Sequence, residues 1–199
     1  MIAPDNSPEE KLVGVYVALV TDNQDPEKLG RVKVTFPWRG TKEESFWARV
    51  ASFAGGQEAG AFFLPEVGDE VLVAFERGEL EFPVVLGSLW NGRDKPPFEE
   101  GRRLIRSRKG HEVVLHDQKG EVCLRSAKGR EITLKDSGEI IIKDPAGNEI
   151  HFTENPPTLR VKGGLKVEIE AQELKLKGLS VEISADTTLV LKGALVQIN

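Results

Sequence analysis

Residues 129–144 read GREITLKDSGEIIIKD, a unit stated nearly twice. Each half is a glycine, a short run with two apolar side chains at i and i+2, and an aspartate. Working outward, the same pair recurs as Val113/Leu115, Val122/Leu124, Ile132/Leu134, Ile140/Ile142 and Ile150/Phe152. It continues as Leu159/Val161, Val167/Ile169, Leu174/Leu176, Val181/Ile183, Leu189/Leu191 and Val196/Ile198, with first members 7 to 10 residues apart. Period-two alternation means a strand with one apolar face. Early repeats are punctuated by Gly and Asp, later ones are tighter, and no window sustains a helical period. An internal repeat of this size sets the architecture of everything from residue 111 to 199.

A strand with two apolar side chains buries nothing alone. Charged residues such as Glu112, Glu131, Lys135, Lys143, Glu168 and Lys175 take the other face. A plain meander would leave its apolar face uncovered, so something must close over it. Two closures fit. In one, three identical chains wrap a common axis, with Val113, Leu115, Ile132, Leu134, Ile140, Ile142, Val167, Ile169, Leu174, Leu176, Val181, Ile183, Leu189 and Leu191 facing inward. In the other, a single chain coils as a β-solenoid, since KGHEVVLHD, KGREITLKD and AGNEIHFTE recur at steps of 19 and 18. That long period dissolves after residue 155 while the short one persists, which favours the trimer.

The first half has a different grammar. All three tryptophans, the one tyrosine and seven of nine phenylalanines precede residue 96. Aromatics there are expected to fill a wide core. VGVYVALV places Val13, Val15, Val17 and Leu19 on one face, GRVKVTF does so with Val32, Val34 and Phe36, and DEVLVAF with Val71, Val73 and Phe75. FWARVASF and PVVLGSLW add two strands, the second apolar enough for burial on both faces. Five short strands fit a small closed barrel, in which closure removes free edges. Pro96 and Pro97 then interrupt pairing. The expected organisation is a tail at 1–11, a barrel at 12–95, a linker at 96–110 and a repetitive unit at 111–199.

Charge and cysteine content narrow the function classes. The formal net charge is −5, and residues 12–95 carry nine Lys/Arg against thirteen Asp/Glu, which disfavours phosphate binding and so nucleic acid. One cysteine, Cys123, excludes an intrachain disulfide. It is expected to face outward as a bystander thiol. MIAPDNSPEEKL lacks a basic region followed by an apolar core, so no signal peptide and synthesis in the cytoplasm are expected. No run approaches the length of a spanning helix.

The barrel motifs add a resemblance. GRVKVTFPW (Gly30, Arg31, Val34), FWARV (Trp47, Arg49, Val50), LPEVGDEV (Leu64–Val71) and PVVLGSLWNG (Pro83–Gly92), with the charged exit to Lys95, occur in order. Residues 12–97 thereby resemble the OB-fold barrel of phage baseplate assembly protein V and of VgrG-type spikes of contractile injection systems. The resemblance implies an all-β fold: a five-stranded OB-fold barrel followed by an intertwined trimeric triple-stranded β-helix. It implies a structural homotrimer at the centre of a baseplate or phage-tail-like particle, docked on a hub protein and driven through the target-cell envelope. About 11 residues precede the barrel, so the hub is expected to be a separate protein. Residues 96–110 leave no room for an inserted lysozyme, and residues 152–199 contain no histidine for a His-x-His iron site. The C-terminal GALVQIN is expected to form a blunt tip at which Val196, Ile198 and Asn199 meet a PAAR-type tip protein.

No catalytic arrangement is readable, and no enzyme activity, metal or cofactor is expected. His111, His116 and His151 sit at strand starts or outward positions. AGGQEAG (Ala54–Gly60) precedes a strand, so it is a barrel loop and not a phosphate cradle. RRLIRSRKG (Arg102–Gly110) holds five cations and no acid, expected to pair with nearby acids such as Glu99 and Glu100. The competing reading is a single-chain β-solenoid that binds or cleaves carbohydrate.

Overall fold

The computed structural model describes residues 11–40, 43–97 and 99–198. The chain divides into two units, Met1–Phe98 and Glu99–Asn199. Both are β-structure.

In the first unit, β1 (Val15–Asp22), β2 (Lys33–Thr35), β3 (Arg49–Val50), β6 (Glu70–Phe75) and β7 (Pro83–Ser88) form one sheet in the order β2-β1-β6-β7-β3. Neighbours are antiparallel except β3 with β7, which is parallel. Bridges Val32–Ala48 and Thr35–Glu44 bring the segment before β3 back against β2. The sheet therefore curls until one segment touches both of its edges, consistent with an OB-fold. Between β3 and β6, β4 (Gly55–Gly56) and β5 (Ala59–Gly60) make a small exposed hairpin from the stretch expected as a loop.

The core is Ala18, Val20, Val32, Val34, Phe36, Ala48, Val71, Val73, Phe75 and Val85. The inward faces of β2 and β6 are those expected from alternation. That of β1 is the reverse: Ala18 and Val20 are buried, while Val13, Val15 and Val17 are exposed. Val13 to Val20 is apolar on both faces, so alternation carries no sign there; the register with β6, Tyr16 opposite Val73 and Ala18 opposite Val71, supplies it. β7 is not buried on both faces either, since Leu86 is exposed beside buried Val85. The aromatics do not fill a wide interior. Strands this short enclose a narrow one, which valines occupy. Phe36 and Phe75 are buried, with Tyr16 and Trp38 stacked at one end (Tyr16–Trp38 5.0 Å, Phe36–Phe75 5.5 Å). Phe46, Phe53, Phe62, Phe63, Phe82 and Trp90 are exposed.

In the second unit, β8 (Arg102–Arg106), β9 (Glu112–His116), β10 (Glu121–Arg125), β11 (Glu131–Lys135), β12 (Ile140–Lys143), β13 (Glu149–Glu154) and β14 (Pro157–Lys162) pair in chain order. Every pairing is antiparallel. Pairing thus starts at Arg102, inside the stretch expected as linker, where Ile105 faces Val113 and Leu104 faces Val114. A coil of one chain needs parallel pairing between turns, so this meander overturns the single-chain solenoid over residues 102–162. The steps of 19 and 18 have another cause: they are two strands each, returning to the same side of the sheet. There Ser107, Ser126 and Asp144 accept the backbone N–H of His111, Arg130 and Asn148. Glycine closes the turns; at Gly120 (φ +59) a Cβ would also collide with the Asp136 carboxylate. Residues 163–198 form no strand and are exposed apart from the half-buried Gly163.

Candidate functional site

The registers stack the apolar pairs into two unbroken rows on one face of the meander. The first runs Ile105, Val113, Leu124, Ile132, Ile142, Ile150, Val161. The second runs Leu115, Val122, Leu134, Ile140, Phe152, Leu159. Cross-strand neighbours support one another along each row. Yet from Val113 onward these side chains stay 37–58% exposed. A cleft of about 540 Å³ runs against Leu124, Ile132, Ile142 and Ile150. Thirteen aliphatic and aromatic side chains aligned this way are a face awaiting cover, since full burial of each is worth about 1.5–3 kcal/mol.

Of the expected inward residues, Val113, Leu115, Ile132, Leu134, Ile140 and Ile142 lie together in these rows. Val167, Ile169, Leu174, Leu176, Val181, Ile183, Leu189 and Leu191 are exposed in a segment without strand pairing, so the single chain does not bring them together. Val196 and Ile198 are exposed, and Asn199 lies outside the described residues. Ile105 extends the first row; its Leu104-Ile105 doublet hid the i, i+2 signal.

The opposite face is better covered, and there Cys123 faces outward as expected but is buried. Cys123 is 6% exposed, beside Val114 and Thr133, at 4% and 5%. It does point away from the apolar rows. The Glu131 and Arg125 charges stand near it on this face. Burial pushes its thiol upward, and the Thr133 hydroxyl lies 3.8 Å from its sulfur. His116 ends β9, buried on this face, and His151 lies on it in β13; His111 precedes β9, and its Nδ1 accepts the N–H of Ala127. Among the described residues, no three His, Cys, Asp or Glu side chains stand together as metal ligands.

Charged rows flank that buried strip. Arg106, Glu112, Arg125, Glu131, Lys143, Glu149 and Lys162 are successive cross-strand neighbours. The sign alternates at every strand. Arg106 pairs with Glu112, Arg125 lies 2.8 Å from Glu131, and Lys143 lies 3.4 Å from Glu131. Burial would raise the Glu131 carboxyl, but the Thr133 hydroxyl, Arg125 and Lys143 outweigh it and hold the group below its ordinary range. Linker cations behave as expected in part: Arg102 pairs with Glu99 and Glu112, and Arg103 with Asp117.

In the barrel, Arg31 organises the loop after β1. Its Nε and Nη2 donate to both Asp25 oxygens at 2.9 and 2.7 Å. The same carboxylate accepts the backbone N–H of Glu27, Leu29 and Arg31. This bidentate pair drives the Asp25 carboxyl well below its usual range. Arg31 and Lys33 also lie over the Trp47 ring, at 5.9 and 5.3 Å. The Gly30-Arg31 and Trp47 motifs are thus one assembly; its third member, Asp25, had no signal in spacing alone.

Residues 16–90 match the family described as the type VI secretion system/phage-baseplate injector OB domain. The chain is 35% identical over 112 residues to the type VI secretion system spike protein VgrG5 of Pseudomonas aeruginosa, covering 52% of this chain and 14% of that protein. It is 31% identical over 136 residues to VgrG4b of the same species, 59% of this chain and 17% of that protein. It is 28% identical over 131 residues to the actin cross-linking toxin VgrG1 of Vibrio cholerae, 57% of this chain and 12% of that protein. The matches thus span less than a fifth of these relatives' own length.

Proposed function

We propose that this chain, a VgrG-type baseplate/spike protein, acts as a homotrimeric, envelope-puncturing spike whose second unit is a triple-stranded β-helix. The observation that carries this is the pair of apolar rows left half-exposed on one face of the meander. Copies of the same chain are the natural cover: their rows have the same length, spacing and shape. Residues 163–198 repeat the apolar pairs without forming a strand in their own chain, which supports pairing with other copies in this reading. In this reading Val167, Ile169, Leu174, Leu176, Val181, Ile183, Leu189 and Leu191 join the axis. The work is mechanical: a shaft whose strands are shared among chains separates only when many pairings break together, which slows unfolding under load.

The barrel docks on a baseplate hub protein, and Val196, Ile198 and Asn199 meet a PAAR-type tip. Contact with the target-cell envelope is transient. The role is structural; the cross-linking activity in one relative's name belongs to that protein. Among the described residues no helix is long and apolar enough to cross a membrane.

Mass in solution tests the reading. Three 21.9 kDa chains give about 66 kDa. That mass by sedimentation equilibrium supports the spike, and a monomer at micromolar concentration overturns it.

A further inference from the structure

The apolar rows do not fix their own register. In the β10–β11 hairpin Val122 faces Leu134 and Leu124 faces Ile132. A one-residue slip would turn one strand over against the other, but a two-residue slip keeps every side chain on its face. Slipped one way, Leu124 would face Leu134; slipped the other, Val122 would face Ile132. Either slip keeps one apolar opposition, so hydrophobic burial discriminates weakly among the three registers.

The charges discriminate strongly. β10 opens with Glu121 and closes with Arg125, and β11 opens with Glu131 and closes with Lys135. Glu139, just before β12, and Lys143, its last residue, repeat the spelling. Acid first and base last, in antiparallel neighbours, sets each acid against a base: Glu121 faces Lys135 and Arg125 faces Glu131. Lys135 reaches Glu139 at 2.7 Å, and Glu131 takes Lys143 from its other side. These groups are partly covered, the Glu131 side chain being 15% exposed, so solvent screens them less than free surface charges. In either slipped register both oppositions of the hairpin vanish. One slip sets Cys123 against Lys135; the other sets Lys119 against Lys135.

We propose that this acid-first, base-last spelling is a register lock that selects one alignment of the meander among alignments the apolar rows leave nearly equal. It acts between strands of one chain and does not depend on the number of chains in the assembly. It also sets acid on acid and base on base when two such strands pair in parallel, so an equivalent strand of another copy is rejected in that orientation.

The one native cysteine supplies the assay. Cys123 faces Thr133, so Thr133→Cys creates a cross-strand pair within disulfide reach only in the native register. In full-length protein carrying Thr133→Cys, mild oxidation should join the two within one chain, read as linked peptides by mass spectrometry. Adding Glu131→Lys and Lys135→Glu reverses one strand's charges without changing composition or any apolar residue. The intrachain cross-link should then fall by about threefold or more, on the scale of four like-charge oppositions, two with β10 and two with Glu139 and Lys143. Adding Glu121→Arg and Arg125→Glu relieves both oppositions inside the hairpin, while position 125 then meets Glu112 and positions 131 and 135 still meet Lys143 and Glu139, so the cross-link should recover in part, whether or not the singly reversed protein folds. Sodium chloride at about 1 M should narrow the difference between the singly reversed protein and its parent. An unchanged cross-link after the single reversal, or no recovery after the double one, overturns the lock. A cross-link between chains in the parent also overturns it.

Discussion

The barrel and the meander are both built from alternating strands, yet one hides its valines and the other displays its isoleucines. The barrel curls until the segment at residues 44–50 reaches both edges of its sheet, and Val20, Val32, Val34, Val71, Val73 and Val85 fall below 2% or close to it in exposure. The meander pairs just as regularly but never meets itself, so Ile132, Ile140 and Ile142 remain over a third exposed. Strand pairing alone therefore does not make a core. Curvature or a second layer must supply the other side.

The largest expected effects break this difference directly. Val73→Asp puts a charge without a partner into the barrel's own core and should unfold that unit at every protein concentration, a loss of several kcal/mol. Ile142→Asp, or Val181→Asp in the unpaired segment, should leave the barrel folded but prevent assembly of the proposed trimer, three 21.9 kDa chains of about 66 kDa. Sedimentation with near-ultraviolet circular dichroism separates the cases. A trimer of either variant with ordinary stability would contradict the inward placement of that residue.

A smaller effect sharpens the comparison at the turns. Gly120→Ala must hold φ near +59 and push aside Asp136, so it should destabilise the meander by about 1 kcal/mol or more while leaving the barrel transition in place. Two separable thermal transitions would show it; a shift in the barrel's transition alone would refute it. In the barrel, Asp25→Asn removes the charge that accepts Arg31 and three backbone N–H groups. It should lower the barrel's melting temperature more than Asp94→Asn, whose partner Arg93 is exposed.

The pH response is the gentlest test. Arg31 holds the Asp25 carboxyl low, Lys135 does so for Glu139, and the Asn148 side chain does so for Asp144. Each folded value lies below the unfolded one. Their stabilisation is therefore complete above the ordinary carboxylate value near 4 and is lost as pH falls below it. Both units should weaken together in acid, and Asp25→Asn should flatten only the barrel's share. Rising stability between about pH 4 and 3 would contradict the sign.

What could be read in the residues follows from how much each local pattern says. The i, i+2 pairs separated by Gly and Asp specify strands and turns, and the meander from β9 to β14 follows them closely. The face of β2 was legible because Lys33 and Thr35 alternate there with Val32, Val34 and Phe36; that of β6, apolar from Val71 to Phe75, came out as expected although its alternation is weak. β1 was not, because Val13 to Val20 is apolar on both faces. β8 was missed because Leu104 and Ile105 are adjacent. Asp25 was missed because a carboxylate six residues from its arginine has no fixed geometry until the loop closes.

By itself the sequence determined that this protein is made of short strands, where most of them turn, and that the second unit carries more apolar surface on one face than its own strands can cover. Those are local properties, set by side-chain alternation and backbone freedom at glycine. Only the tertiary structure decided that the strands run antiparallel in chain order, that Cys123 is buried, that Arg31 locks onto Asp25, and which face of β1 turns inward. Each of those depends on which distant residues come to stand opposite one another, and register is a property of pairs of strands that no single strand contains.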